Sequence, residues 1–200
     1  MNCVPKYRHL RQRLAGANLY LVGMMGSGKS SVGRILAQQL GYHWLDADQV
    51  LGAAAGRTIP TLFAQEGEEG FRAAETAALR QMGQWHSCVV STGGGAVARP
   101  TNWGTLRQGV VVWLAAPAEV LLKRLRQDPT PRPLLQCPDP AQRLKELLAA
   151  REPLYAQADV RVVQTGTMTS EAVAAAVLEA LPTALQTPPR GGAQGPPTDQ

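Results

Sequence analysis

Gly23-Met24-Met25-Gly26-Ser27-Gly28-Lys29-Ser30 stands between an apolar run, Asn18 to Val22, and a helix-patterned run, Ser31 to Leu40. A strand leading into G-x-x-x-x-G-K-[ST] and then a helix is the pattern of a phosphate-binding loop. Its glycines let backbone N–H groups converge on phosphate oxygens, and its lysine reaches the outer phosphates. The stretch predicts a nucleoside triphosphate site built from Gly26, Ser27, Gly28, Lys29, Ser30 and Ser31. Val32, Ile35, Leu36 and Leu40 fall on one face of the helix, Gly41 stops it, and its N-terminal end points at the phosphates. The Ser30 hydroxyl is placed to ligate Mg2+.

Downstream, strand patterns alternate with helical ones, as parallel strands and crossover helices require. His43 to Asp48 reads as a second strand. Asp46 and Asp48 would share one face of it at the carboxyl end, where ligands sit in an open α/β sheet. Two like charges held together need a cation or donors, which predicts one acid beside Mg2+ and the other on a substrate hydroxyl. The plainer alternative is a helix N-cap followed by a solvated acid. Gly56-Arg57-Thr58-Ile59-Pro60 has the form of a helix start, with Thr58 as cap. Glu68 to Met82 continues in helical spacing, and by pattern alone Arg72 and Glu75 make a surface pair worth about 0.2–0.5 kcal/mol.

Cys88 to Ser91 reads as a third strand running into Thr92-Gly93-Gly94-Gly95-Ala96. Three glycines cost backbone entropy, so they predict a place where a ligand meets bare backbone, with a flexible connection as the alternative. Val110 to Leu114 is a fourth strand, and Pro117 opens an amphipathic run to Arg126. Asp128 to Pro140 holds five prolines and is expected to be a non-helical lid. A helix from Ala141 to Ala150 follows, with Arg151 just beyond it and Pro153-Leu154-Tyr155 ending it. Val160 to Val163 is a fifth strand, and Ser170 caps a last helix to Leu181. Residues 1–16 are expected to form a solvated basic extension, and residues 182–200, rich in Pro and Gly, a disordered tail.

The net charge of +5 is concentrated at one end. Lys6, Arg8, Arg11 and Arg13 supply four of the positive charges, whereas Gly16 to Pro182 holds 15 basic and 14 acidic residues. A nearly neutral body lacks the basic stripe that phosphate neutralisation along a nucleic acid needs. Cys3, Cys88 and Cys137 are odd in number and lack C-x-x-C spacing, which argues against a disulfide framework or zinc site. His9, His43 and His86 are isolated. Trp44, Trp85, Trp103 and Trp113 are too scattered for a base-stacking platform and read as packing residues. No segment has the length of a membrane span and the N-terminus lacks a signal core, so a cytoplasmic protein is expected.

Five parallel strands alternating with helices describe a three-layer α/β P-loop kinase fold with a five-stranded parallel sheet and a lid loop at about 127–140. Within it, residues 17–180 resemble the shikimate kinase family. The matching pieces are G-M-M-G-S-G-K-S, the D-A-D after strand two, G-E-E-G-F-R-A-A-E, S-T-G-G-G-A-V, the R-P-L-L of the lid and the R-E-P-L-Y that follows. The resemblance implies transfer of the γ-phosphoryl of ATP to the 3-hydroxyl of shikimate, with Mg2+, by a monomer. It implies that Asp48, Arg72, Gly94 and Arg151 bind shikimate, Asp48 also accepting the attacking proton. It makes Asp46 an outer Mg2+ acid, Glu75 the residue orienting Arg72, Arg132 the lid arginine on the phosphates, and Arg124 the adenine contact. Gluconate kinase shares the loop and the lid, but has no need of two arginines facing one carboxylate.

Overall fold

The computed structural model describes residues 3–128, 130 and 132–186. Its centre is strand β1 (Leu19–Val22), where side chains alternate between two faces. Leu19 and Leu21 join one apolar cluster and Tyr20 and Val22 the other, the period of two that a strand imposes. β1 lies between β3 (Cys88–Ser91) and β4 (Val110–Ala115); β2 (His43–Asp46) pairs with β3 and β5 (Val160–Val163) with β4, all parallel. The central strands β1, β3 and β4 are buried along their whole length, as a sheet covered on both faces requires.

On one face pack α2 (Lys29–Leu40) and α8 (Ser170–Ala184), joined by α1 (Arg8–Leu14). On the other lie α3 (Ala47–Ala55), α4 (Ile59–Gly83) and α5 (Pro100–Leu106). α6 (Ala118–Gln127) and α7 (Pro140–Tyr155) form a third small cluster around Met24, Leu121 and Leu144. These are the three layers and five parallel strands expected.

Several boundaries differ for physical reasons. The second strand ends at Asp46, because that carboxylate caps α3 by accepting the N–H groups of Asp48 and Gln49. Asp48 therefore sits in the first turn of a helix, and the two acids do not share a strand. α4 breaks at Gly67, whose φ of 68° no helix contains. α7 runs through Pro153 to Tyr155 instead of ending near Ala150. The carbonyl that Pro153 cannot satisfy, that of Ala149, belongs to a solvent-exposed residue, where water replaces the lost bond. Thr169, not Ser170, caps α8, which continues past Pro182 to Ala184; the expected tail is helical at its start, and residues 187–200 lie outside the described ones. Of the tryptophans, Trp103 and Trp113 are core residues, whereas Trp85 is 45% exposed and only half-buried.

The basic N-terminal stretch is not a free arm. Leu10 and Leu14 are buried in the α2–α8 cluster, with Tyr7 packed beside them. The Val4 N–H donates to the Gln39 carbonyl, and the Arg13 guanidinium donates to the Pro182 carbonyl at 3.0 Å. Leu14 is 2% exposed, so Leu14→Ala is expected to cost about 2–5 kcal/mol. Urea unfolding measures it; a change below about 0.5 kcal/mol is what a solvated arm would give.

Candidate functional site

β1 delivers Gly23, and the chain turns tightly into α2 through Gly26 and Gly28, whose φ angles are 78° and 86°. Only glycine enters that region freely. α2 opens without a side-chain cap, which leaves its first-turn N–H groups and positive dipole end to a phosphate. Ser31 is exposed in this turn, and Ser27 is buried in the loop with a hydroxyl lacking any partner among the described residues. Lys29 folds back over the loop, donating from Nζ to the carbonyls of Gly23 and Met24 at 2.8 and 3.0 Å. Burial pulls its pKa down to about 8, opposed by the nearby Asp48 carboxylate. A desolvated ammonium of this kind is stabilised by arriving negative charge.

Ser30 Oγ donates to Asp46 Oδ2 at 2.7 Å. Behind it, Trp44 Nε1 donates to Ser91 Oγ at 3.1 Å, and that hydroxyl donates to the Lys29 carbonyl at 2.9 Å. The turn carrying Ser30 is thereby tied to β2 and β3. A hydroxyl and a carboxylate side by side at a phosphate loop are hard oxygen donors. They fit Mg2+, which takes one or two protein oxygens and completes its shell with water and phosphate.

Asp48, Arg72, Gly94, Arg132 and Arg151 line one open pocket beside the loop. Burial, followed by the charge of Asp46, pushes the Asp48 pKa up. Arg72 Nη1 donates to Glu75 Oε2 at 2.9 Å, and the two side chains are only 9% and 4% exposed. The surface pair that spacing suggested is thus a buried one. Its helix face is turned toward the triple glycine, which periodicity could not reveal. Burial raises the Glu75 pKa against the lowering effect of Arg72, and Glu75 Oε1 has no partner among the described residues.

The three glycines are explained by room. None of Gly93, Gly94 and Gly95 has a positive φ. A Cβ on Gly93 would run into Glu75 Oε1, and one on Gly95 would stand 2.5 Å from Arg72 Cζ. Bare backbone is needed there to seat the ion pair. Arg151, 7% exposed and inside α7, donates from Nη1 to the Gly94 carbonyl at 3.3 Å.

Arg124 lies apart from this pocket, along the phosphate loop. Its Nη1 donates to Gln164 Oε1 at 2.9 Å and to the Gly26 carbonyl at 3.3 Å. Gln164, 2% exposed, returns a bond from Nε2 to the Ser27 carbonyl at 2.8 Å. Sequence reasoning missed Gln164; its signal was a polar residue placed directly after β5, at the carboxyl edge of the sheet. Arg132 donates from Nη2 to Asp128 Oδ2 at 2.7 Å, and its Nε is buried without a partner among the described residues. Hydrogen bonds from Thr130, together with the Arg132 guanidinium, hold the Asp128 pKa down to about 2.

The raised pKa of Asp48 has a definite consequence. At pH values where both states are protonated it changes nothing. As pH rises, the unfolded carboxyl ionises first and folding loses stability. Asp48→Asn is therefore expected to raise the melting temperature at pH 7, with the gain shrinking toward about pH 4, near the unfolded carboxyl value. Melting curves across that range test it; a lower melting temperature at pH 7 would contradict a strained Asp48.

The family model described as shikimate kinase matches residues 25–182. A shikimate kinase of Synechococcus sp. (strain RCC307) is 56% identical over 179 residues, which span 90% of this chain and 91% of that protein. Among solved structures, shikimate kinase from Acinetobacter baumannii in complex with shikimate superposes with a TM-score of 0.81 at 39% identity, covering 86% of this chain and 97% of the other. The shikimate kinase of Aquifex aeolicus gives a TM-score of 0.71 at 34% identity, with coverage of 82% and 96%.

Proposed function

This chain belongs to the shikimate kinase family, and we propose that the pocket beside its phosphate loop is where the 3-hydroxyl of shikimate meets the γ-phosphoryl of ATP. The reaction is ATP-dependent phosphorylation of shikimate to shikimate 3-phosphate with release of ADP, a step in aromatic amino acid biosynthesis. The observation that carries the site assignment is the convergence of Asp48, Arg72 and Arg151 on the bare backbone of Gly93 to Gly95, next to Lys29.

Arg72 and Arg151 hold the shikimate carboxylate, since planar guanidinium groups match carboxylate geometry. Asp48 accepts the ring hydroxyls and takes the proton of the attacking one, a role that its raised pKa suits. Gly94 offers backbone to the same ligand. On the nucleotide side, Gly26, Ser27, Gly28 and Ser31 line the phosphates, and Arg124 lies along the base. Lys29 leaves the carbonyls of Gly23 and Met24 for the outer phosphates, and Arg132 leaves Asp128 for the charge that develops on the transferred group. Ser30 and Asp46 would hold Mg2+, which neutralises phosphate charge when bound. Closure of the Arg132 segment would keep water from the γ-phosphate.

Action as a monomer belongs to the same proposal, on the family resemblance. Among the described residues no helix is long and apolar enough to cross a membrane, and work in the cytoplasm belongs to the same proposal.

The deciding experiment is ADP release from Mg-ATP with shikimate, gluconate, a nucleoside monophosphate or no acceptor. A rate dependent on shikimate alone is expected; dependence on another acceptor would leave Lys29 its role and remove the arginine clamp. Arg72→Ala should raise KM for shikimate about 10–100-fold, the range of a charge-assisted bond, with KM for ATP within about twofold. Asp48→Asn should instead lower kcat about 100-fold or more. Equal effects of either change on both substrates would overturn the assignment.

A further inference from the structure

A run of three glycines is the most deformable backbone a chain can contain, yet it borders the pocket where geometry matters most. Each of its three carbonyls is held, those of Gly93 and Gly95 by the short helical turn that follows and that of Gly94 from outside. The Ala96 N–H donates to the Gly93 carbonyl at 3.1 Å. The Gly94 carbonyl accepts from Arg151 Nη1 at 3.3 Å and from Tyr155 Oη at 2.5 Å.

Those two donors are not equivalent. Arg151 lines the pocket, and its contact with Gly94 is the longer one, so a ligand carboxylate competes for it. Tyr155 does not line the pocket, is 1% exposed, and stacks on Trp113 with ring centroids 5.8 Å apart. Burial pushes its pKa up to about 12, so the phenol keeps its proton and remains a donor throughout the working range. The carbonyl of Gly94 and the N–H of Gly95 belong to one planar peptide and point in opposite directions. The bond from Tyr155 therefore fixes the aim of the Gly95 N–H. Gly95 is buried, and that N–H has no acceptor among the described residues, the condition of a donor reserved for a ligand.

We propose that Tyr155 is a positioning residue for the acceptor: it anchors the Gly94–Gly95 peptide so that the glycine backbone keeps its ligand-binding geometry when Arg151 turns to the shikimate carboxylate. The proposal rests on the assignment of Arg72, Gly94 and Arg151 to shikimate. Tyr155 touches no reacting atom and acts through the peptide it holds.

Tyr155→Phe keeps the ring and its stacking and removes only the donor. The expected result is a rise of about 5–20-fold in KM for shikimate, with KM for ATP within about twofold, the split that a lost acceptor-side interaction produces. Calorimetric titration of shikimate should show the same loss in Kd. Replacing Tyr155 with 4-aminophenylalanine restores a neutral donor and should recover most of the affinity, which a purely structural role would not require. An unchanged shikimate KM in Tyr155→Phe, or a parallel rise for ATP, overturns the proposal. Should Tyr155→Phe fail to fold, the 4-aminophenylalanine protein decides alone: near-normal shikimate affinity upholds the proposal and a loss beyond about fivefold refutes it. Failure of shikimate to bind the unaltered protein would instead overturn the site assignment.

Discussion

A guanidinium taken almost wholly out of water must be met by a carboxylate, and the pairing of Arg72 with Glu75 inside the protein organises much of what surrounds it. Breaking a buried pair by removing one partner is far more costly than losing a surface pair, because the survivor stays charged and desolvated. The pair also needs space, and Gly93 and Gly95 provide it. The emptied backbone in turn needs outside restraint, which comes from α7 through Arg151 and Tyr155. One electrostatic requirement on α4 thus reaches through a glycine run to a helix from the far end of the chain.

Two charged groups of the site have pKa values displaced in opposite directions by one cause. Lys29 is pulled down and Asp48 pushed up chiefly because both are buried. Both residues are only partly exposed before substrate arrives, so part of their desolvation is borne by folding and not by binding. Preorganised charges in a dry site act more strongly on a developing phosphoryl charge than the same charges in water.

Much of this was legible beforehand. The phosphate loop announces itself because few conformations satisfy converging N–H groups, and glycines mark them. The five strands are short and apolar enough to read directly. Asp46 and Asp48 were found as a pair but placed wrongly, because a two-residue spacing means one face only in a strand. The plainer alternative, a helix N-cap, is the one that forms: Asp46 caps an alanine-rich run ending at Gly56. The burial of Arg72 and Glu75 could not be seen, since helical spacing does not say which neighbour a face will meet. Gln164 and Tyr155 depend on contacts between distant segments, and the folding of Leu10 and Leu14 against α2 and α8 was hidden by the arginines around them.

The position of β1 in the sheet also sets an order of events during synthesis. Leu19 pairs with Val89 on one side and with Val110 on the other, so the strand that leads into the phosphate loop gains its first partner only with β3 and its second only once more than half of the 200-residue chain has been made. Until then Leu19 to Val22 is an apolar segment with at least one edge unsatisfied, the kind of surface that associates with whatever strand is near. Non-local pairing of this sort slows folding, because long loops must close before contacts reward them. The first strand to leave the ribosome is therefore secured on both edges only after the fourth has been made, and the nucleotide site forms only when the sheet closes around it.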